Sequence, residues 1–178
     1  VSVSKLRLKR NHTWKSKPGN AICVIDRGLV RFDYPSKWIV EPGEGAVHLH
    51  DQPPSVESCD LGVSVFRAPA GTFEDLSLDD MLLQTLSTDR EPYHQSEIHH
   101  VHRGNLEIAW LEQRYVEATY KRDARFRVAL ARDSALCLIS MNYWSARAAR
   151  LEPVWDEVLR TLVFGVRVED PTKGPVIQ

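Results

Sequence analysis

The residues best equipped for chemistry in this chain are its seven histidines, six of which fall into two groups. His48 and His50 flank a single residue and are followed by Asp51, while His94, His99, His100 and His102 gather further along. On an extended strand, residues two apart share a face, so His48 with His50 and His100 with His102 each form a ligand pair. If the two strands were neighbours, four imidazoles could ring a zinc or copper ion at about 2.0 Å each, shielded by Trp38 or Tyr93. A plainer reading competes with this one. Val47 and Leu49 already supply the inward face of their strand, which leaves the histidines as solvated outward positions, and the spacing matches no zinc module.

A second set of candidates is cationic. Lys121, Arg122, Arg125, Arg127 and Arg132 form a basic stripe able to hold a phosphate or an acidic partner. Glu107, Glu112 and Glu117, on the preceding strand, are spaced to pair across that stripe and neutralise it. Arg147 and Arg150 lie near the start of the last helix, where a cation opposes the dipole, and this marks them as contact candidates. Among the five tryptophans, Trp38, Trp110 and Trp155 fall on core faces, whereas Trp14 and Trp144 lie beside polar loops. Trp144 suits a core edge and the wall of a binding groove equally well. The binding residues expected from sequence are therefore Trp144, Arg125, Arg127 and Arg147.

No catalytic residue is assigned. The chain has no Gly-x-Ser-x-Gly elbow, no phosphate-cradling loop ending Gly-Lys-Ser/Thr and no His-Glu-x-x-His. No cysteine has a histidine nearby in sequence. Asp79, Asp80, Asp156 and Glu157 sit on predicted helices, where dipole and solvent account for them.

These side chains must be positioned by strands for the most part. Leu6 and Leu8 alternate with Lys5, Arg7 and Lys9 as in an edge strand guarded by charge. Further strands are expected at Ala21–Ile25, Leu29–Tyr34, Lys37–Val40, Ala46–His50 and Leu61–Phe66, separated by Gly and Pro turn signals. Ser77 can cap a helix whose first turn carries Asp79 and Asp80, with Leu78, Met81, Leu82, Thr85 and Leu86 on its core face. Ser96 to Arg103 runs into Gly104-Asn105, a hairpin turn, and Leu106, Ile108 and Trp110 alternate beyond it. Phe126, Val128 and Leu130 repeat the alternation. From Ala135 to Tyr143 both faces are apolar, which predicts a central strand covered on each side. A Ser145-led helix then presents Leu151, Trp155, Val158 and Leu162, beginning or kinking near Pro153.

The 178 residues suit one domain, able to bury about 70% of its extended surface without a metal or disulfide staple. A formal net charge of −1 gives no bulk reason for nucleic-acid or anionic-membrane binding. No run reaches the roughly 18 apolar residues of a membrane span. Cys23, Cys59 and Cys137, odd in number and far apart, read as reduced buried thiols and point to the cytoplasm, with a removed leader as the alternative.

Gly28-Leu-Val-Arg-Phe-Asp-Tyr-Pro-Ser-Lys-Trp38 resembles the opening of PsbP-like domains, where a strand runs into a proline, a short turn and a tryptophan. Pro153-Val-Trp-Asp-Glu-Val-Leu-Arg-Thr-Leu-Val-Phe164 resembles their last helix. The correspondence spans roughly Gly28 to Val168. It implies an α+β fold, an α/β/α sandwich with a central, mainly antiparallel sheet flanked by helices. Residues 1–170 would form one PsbP-like domain, with N-terminal strands over 3–25 appended to a core of 28–168 and a flexible tail over 171–178. The superfamily includes extrinsic photosystem II subunits and a Ran GTPase-binding nucleotide-release factor, and its members act mostly by binding other macromolecules. The resemblance therefore implies a non-catalytic protein-binding or assembly module with a protein partner and no cofactor. The alternative is a protein that holds zinc or copper on His48, His50, His100 and His102.

Overall fold

Alternating apolar residues build a large antiparallel sheet, and two helices pack against it. The computed structural model describes residues 6–67, 72–73, 75–86 and 90–176. In chain order the elements are β1 (Asn20–Ile25), β2 (Val30–Pro35), β3 (Ile39–Pro42), β4 (Val47–His50), β5 (Asp60–Phe66), α1 (Leu78–Gln84), β6 (His94–Gln95), β7 (His99–Arg103), β8 (Leu106–Glu117), β9 (Arg122–Arg132), β10 (Leu136–Trp144), α2 (Ala148–Thr161) and β11 (Val163–Phe164). The large sheet runs β3-β4-β5-β10-β9-β8, with β6 and β7 both paired to the far side of β8. Each of these pairings is antiparallel. The fold is α+β.

The period of two divides the strands cleanly between the sheet's faces. Leu49, Leu61, Val63, Ile108, Ala129, Cys137, Ile139 and Met141 share one core with Leu151, Trp155, Val158 and Leu162 from α2. Ala109, Leu111, Val128, Leu130 and Leu136 form a separate core with Leu78 and Leu82 from α1. Fully burying an aliphatic side chain is worth about 1.5–3 kcal/mol, so the stripe on α2 alone fixes that helix to the sheet. Pro153 sits inside α2, which runs unbroken from Ala148 after a short 3-10 turn over Ser145–Arg147. Ser77 caps α1 as its sequence predicts, its Oγ accepting from the Asp80 N–H at 3.2 Å. The Gly104-Asn105 turn joins β7 to β8, with Gly104 at φ 60°.

The structure corrects the sequence reading in three places. A second, three-stranded sheet, β1-β2-β11, shares the α2-side core through Cys23, Val30, Phe32 and Tyr34. It forms because the chain leaving α2 returns to β2, pairing Val163 with Arg31 and Phe164 with Val30. Leu6 and Leu8 do not form a strand and are largely exposed; residues 1–5, where the predicted edge strand begins, lie outside the described residues. Residues 171–176 do not stand free as the expected tail. The Trp14 indole donates to the Pro171 carbonyl at 2.8 Å, the Thr13 hydroxyl to the Pro175 carbonyl at 2.8 Å, and Lys9 pairs with Asp170 at 2.9 Å.

Candidate functional site

A half-open cleft of about 190 Å³ lies on the α1-side face, where its lining residues Tyr115, Ala124 and Trp144 belong to the same buried cluster as Leu78 and Leu82 of α1. Register builds it. Tyr115 on β8 stands opposite Ala124 on β9, and Ala124 stands opposite Trp144 on β10. Three strands thereby place a tyrosine, a small residue and a tryptophan in one row on one face. Alanine in the middle leaves the depression between the two rings. The end of β8 adds Glu117, the turn into β9 adds Tyr120, and the 51–59 loop adds Val56.

Hydrogen bonds set the walls. The Trp144 Nε1–H donates to the Val56 carbonyl at 2.7 Å, which ties the loop to the end of β10. The Tyr115 hydroxyl donates to Asn142 Oδ1 at 2.9 Å. Glu117 Oε2 accepts from the Tyr120 N–H at 2.8 Å, and Tyr120 meets the Trp144 ring edge-on at 5.9 Å. The Arg122 guanidinium lies 4.3 Å from the Trp144 ring centroid and is ion-paired with Glu57. Arg90 lies over Phe126 at 3.8 Å and over Tyr115 at 5.7 Å, further along the same face. Trp144 is 8% exposed, whereas Val56 at 45% and Tyr120 at 49% stand at the rim.

Of the expected binding residues, only Trp144 lines this cleft. Arg125 and Arg127 fall on the opposite face, because odd positions of β9 point towards α2. There Arg127 Nε donates to Glu112 at 2.8 Å and its guanidinium reaches Glu152 at 3.3 Å, while Arg125 pairs with Glu152. The basic stripe is thus split between two faces. Glu112 opposes Arg127 and Glu107 opposes Arg132, both as ion pairs, whereas Arg122, opposite Glu117, turns to Glu57. Arg147 is a clasp. Its guanidinium donates to the Glu57 carbonyl and to Asp51, whose side chain is fully buried and also pairs with Arg150. Asp51 further accepts from the Cys59 N–H at 2.8 Å, so this one carboxylate pins both ends of the loop that carries Val56.

The four histidines do not meet. Strand β4 and strand β7 are five pairings apart, about 24 Å at the usual strand spacing, so His48 and His50 cannot share an ion with His100 and His102. His48 Nδ1 is instead 2.9 Å from Asp60 Oδ1, and His100 Nε2 is 2.8 Å from Asp79 Oδ1, tethering α1 to β7. Among the described residues, no group of three or more His, Cys, Asp or Glu side chains is placed to hold a metal ion. The thiols are equally removed from chemistry. Burial pushes Cys23 up to about 12, burial and then the nearby Cys23 do the same to Cys137, and Cys59 is raised by burial and by Asp51.

Comparison with known proteins decides the family. The Alr1449 family model matches residues 21–168. The chain belongs to the Alr1449 family. An uncharacterized protein alr1449 from Nostoc sp. (strain PCC 7120) is 33% identical over 172 residues, covering 95% of this chain and 90% of that protein. The fold is PsbP-like. Cyanobacterial PsbP (CyanoP) from Synechocystis sp. PCC 6803 aligns with a TM-score of 0.58 at 14% identity, over 84% of this chain and 95% of its own. A Bacteroides thetaiotaomicron protein aligns with a TM-score of 0.59 at 17% identity, over 83% of this chain and 49% of its own. A protein of unknown function from Pseudomonas aeruginosa aligns at 0.51 and 14% identity, over 81% and 96% of the two chains. At these identities the likeness speaks to the fold alone, which this Alr1449 family member shares.

Tyr115, Tyr120 and Asn142 were not singled out by sequence, and Glu117 was read only as a pairing partner for the basic stripe. Parity along β8 could have grouped Tyr115 with Glu117, but only the β8–β9 register adds Trp144 to their row.

Proposed function

We propose that this Alr1449 family member is a non-catalytic protein-binding or assembly module, with its layers read as an α/β/α sandwich and its docking point at the Trp144 cleft. The observation that carries this reading is the cleft itself. Its walls are aromatic and amide, and its rim exposes Val56 and Tyr120. Buried aromatics framed by such a rim are the usual anchors of protein interfaces. The arginines expected to bind, Arg127, Arg125 and Arg147, are occupied by Glu112, Glu152 and Asp51. The reading needs no resident metal or cofactor. We place the protein in the cytoplasm, a compartment supported by three free, buried thiols.

The test uses Val56→Asp and Tyr120→Asp, exposed positions where substitution leaves the fold intact. A partner retained from the protein's own cell extract by the unaltered chain should be lost by both variants at unchanged Tm. A partner held equally by variant and unaltered protein would move docking off this face. Turnover of a small molecule that either substitution abolished would overturn the non-catalytic reading.

A further inference from the structure

We propose that the Trp144 cleft receives a cationic side chain, arginine or lysine, presented by the protein partner; this deepens the docking reading above and rests on it. The aromatic row already holds cations from within the chain. Arg122 stacks on Trp144, and Arg90 stacks on Phe126 and Tyr115. A cation over an aromatic face is drawn by the ring quadrupole, most strongly over tryptophan. The surface is therefore one on which a guanidinium settles, and the cleft lies between the two occupied positions.

Among the described residues, the cleft offers a carboxylate with no cation paired to it. Glu117 lines it and is held by neutral donors, the Tyr120 N–H and Thr119. Those hydrogen bonds, the one from Tyr120 foremost, keep its carboxyl below the ordinary glutamate range, so it is ionised at neutral pH. Glu57 close by is already neutralised by Arg122. None of the residues lining the cleft is Lys, Arg or His. An incoming ammonium or guanidinium would thus meet an uncompensated charge, whereas a phosphate or carboxylate would be repelled.

The remaining polar group suits a peptide. Asn142 Oδ1 is taken by the Tyr115 hydroxyl, which leaves the Asn142 amide hydrogens to donate to an acceptor such as a backbone carbonyl. The size also points away from a metabolite. Small-molecule sites run to about 300–1,000 Å³, and this cleft has room for one side chain.

The Trp144 indole N–H, fixed on the Val56 carbonyl, is a built-in reporter. Isotope-labelled protein is titrated with a capped Gly-Arg-Gly peptide and with its citrulline counterpart, which keeps the shape and loses the charge. The arginine peptide should shift the Trp144 indole and Tyr120 amide signals saturably, and the citrulline peptide should bind roughly tenfold more weakly. Glu117→Gln, at the half-buried end of β8, should weaken the arginine peptide by a similar factor, and Tyr120→Leu should weaken it without changing the fold. No saturable shift, or equal shifts from both peptides, overturns the proposal. If Val56→Asp releases the partner while the arginine peptide fails to bind, docking stands and the cationic anchor alone falls.

Discussion

Removing the Glu112 carboxylate should be among the most damaging single changes available on the α2-side face. Glu112 and Arg127 have side chains only 7% and 9% exposed, and they are joined at 2.8 Å across β8 and β9. Replacing Glu112 with Ala strands the Arg127 guanidinium beneath α2. Breaking one side of a buried pair costs about 3–5 kcal/mol. Glu152, 3.3 Å from Arg127, offers a second partner, so the lower end of that range, about 3 kcal/mol, is expected. In a chain of this length that is on the order of 6–12 °C in Tm. Arg127→Ala should cost less, because Glu112 keeps Arg114 at 2.8 Å and Arg125 at 3.6 Å.

The paired replacement Glu112→Leu with Arg127→Met removes both charges and keeps the volume. It should lie within about 1 kcal/mol of the unaltered protein, since replacing a whole buried pair by apolar groups is often neutral or stabilising. Urea unfolding of the unaltered protein, Glu112→Leu, Arg127→Met and the pair gives the double-mutant cycle. Additive costs, or a Glu112→Ala loss below about 1 kcal/mol, would refute the reasoning, because the charges would then be independently solvated. The pH dependence provides a second readout. Burial pushes the Glu112 carboxyl up, but hydrogen bonds from Arg114 and Arg127, with the charges of Arg127 and Arg125, outweigh it and leave it below its ordinary value near 4.5. Its contribution is therefore complete above about pH 4.5 and disappears as pH falls through the lower folded value. Glu112→Gln should lose stability at neutral pH and show a flatter decline than the unaltered protein in acid.

Two further outcomes can be checked. With Cys23, Cys59 and Cys137 all buried and free, native protein should show no fast-reacting thiol towards a disulfide reagent and three after denaturation; a fast native thiol would contradict the packing. Gly28→Ala should cost about 2–4 kcal/mol in thermal or urea unfolding, because Gly28 sits at φ 103° and a Cβ there would overlap the Val166 carbonyl; a loss under about 0.5 kcal/mol would show that the 28–166 contact yields freely.

The fold was legible wherever one element's own pattern determined its fate. The stripe on α2, the Ser77 cap and the Gly104-Asn105 turn are local signals, and each appears where the spacing predicts. The small sheet was not legible, because β11 is two residues long and exists only through its pairing with β2. The C-terminal segment misled for the same reason. Pro, Lys and Gly after Asp170 read as a loose end, yet Gly174 packs so closely that a Cβ would crowd Thr13 and the Trp14 amide. A contact across some 160 residues leaves no trace in local composition.

The site was less legible than the fold because charge and ring type were read along the chain, while a sheet sorts them by parity and register. Arg122, Arg125, Arg127 and Arg132 look like one stripe in sequence. Parity sends Arg122 and Arg132 to the α1 side and Arg125 and Arg127 under α2, where Glu112 and Glu152 take them up. Register then decides what each face can do. Ala124 is the pivot: a larger residue between Tyr115 and Trp144 would fill the row, and there would be no depression for a partner to enter. The internal use of arginine and the opening beside Trp144 therefore share one origin. The same β8–β9–β10 register that neutralises the cations on one face leaves aromatic rings, one small residue and an uncompensated Glu117 on the other. Histidines alternate on β4 and β7 by the same rule, but nothing in their own spacing could reveal the four strands that lie between them.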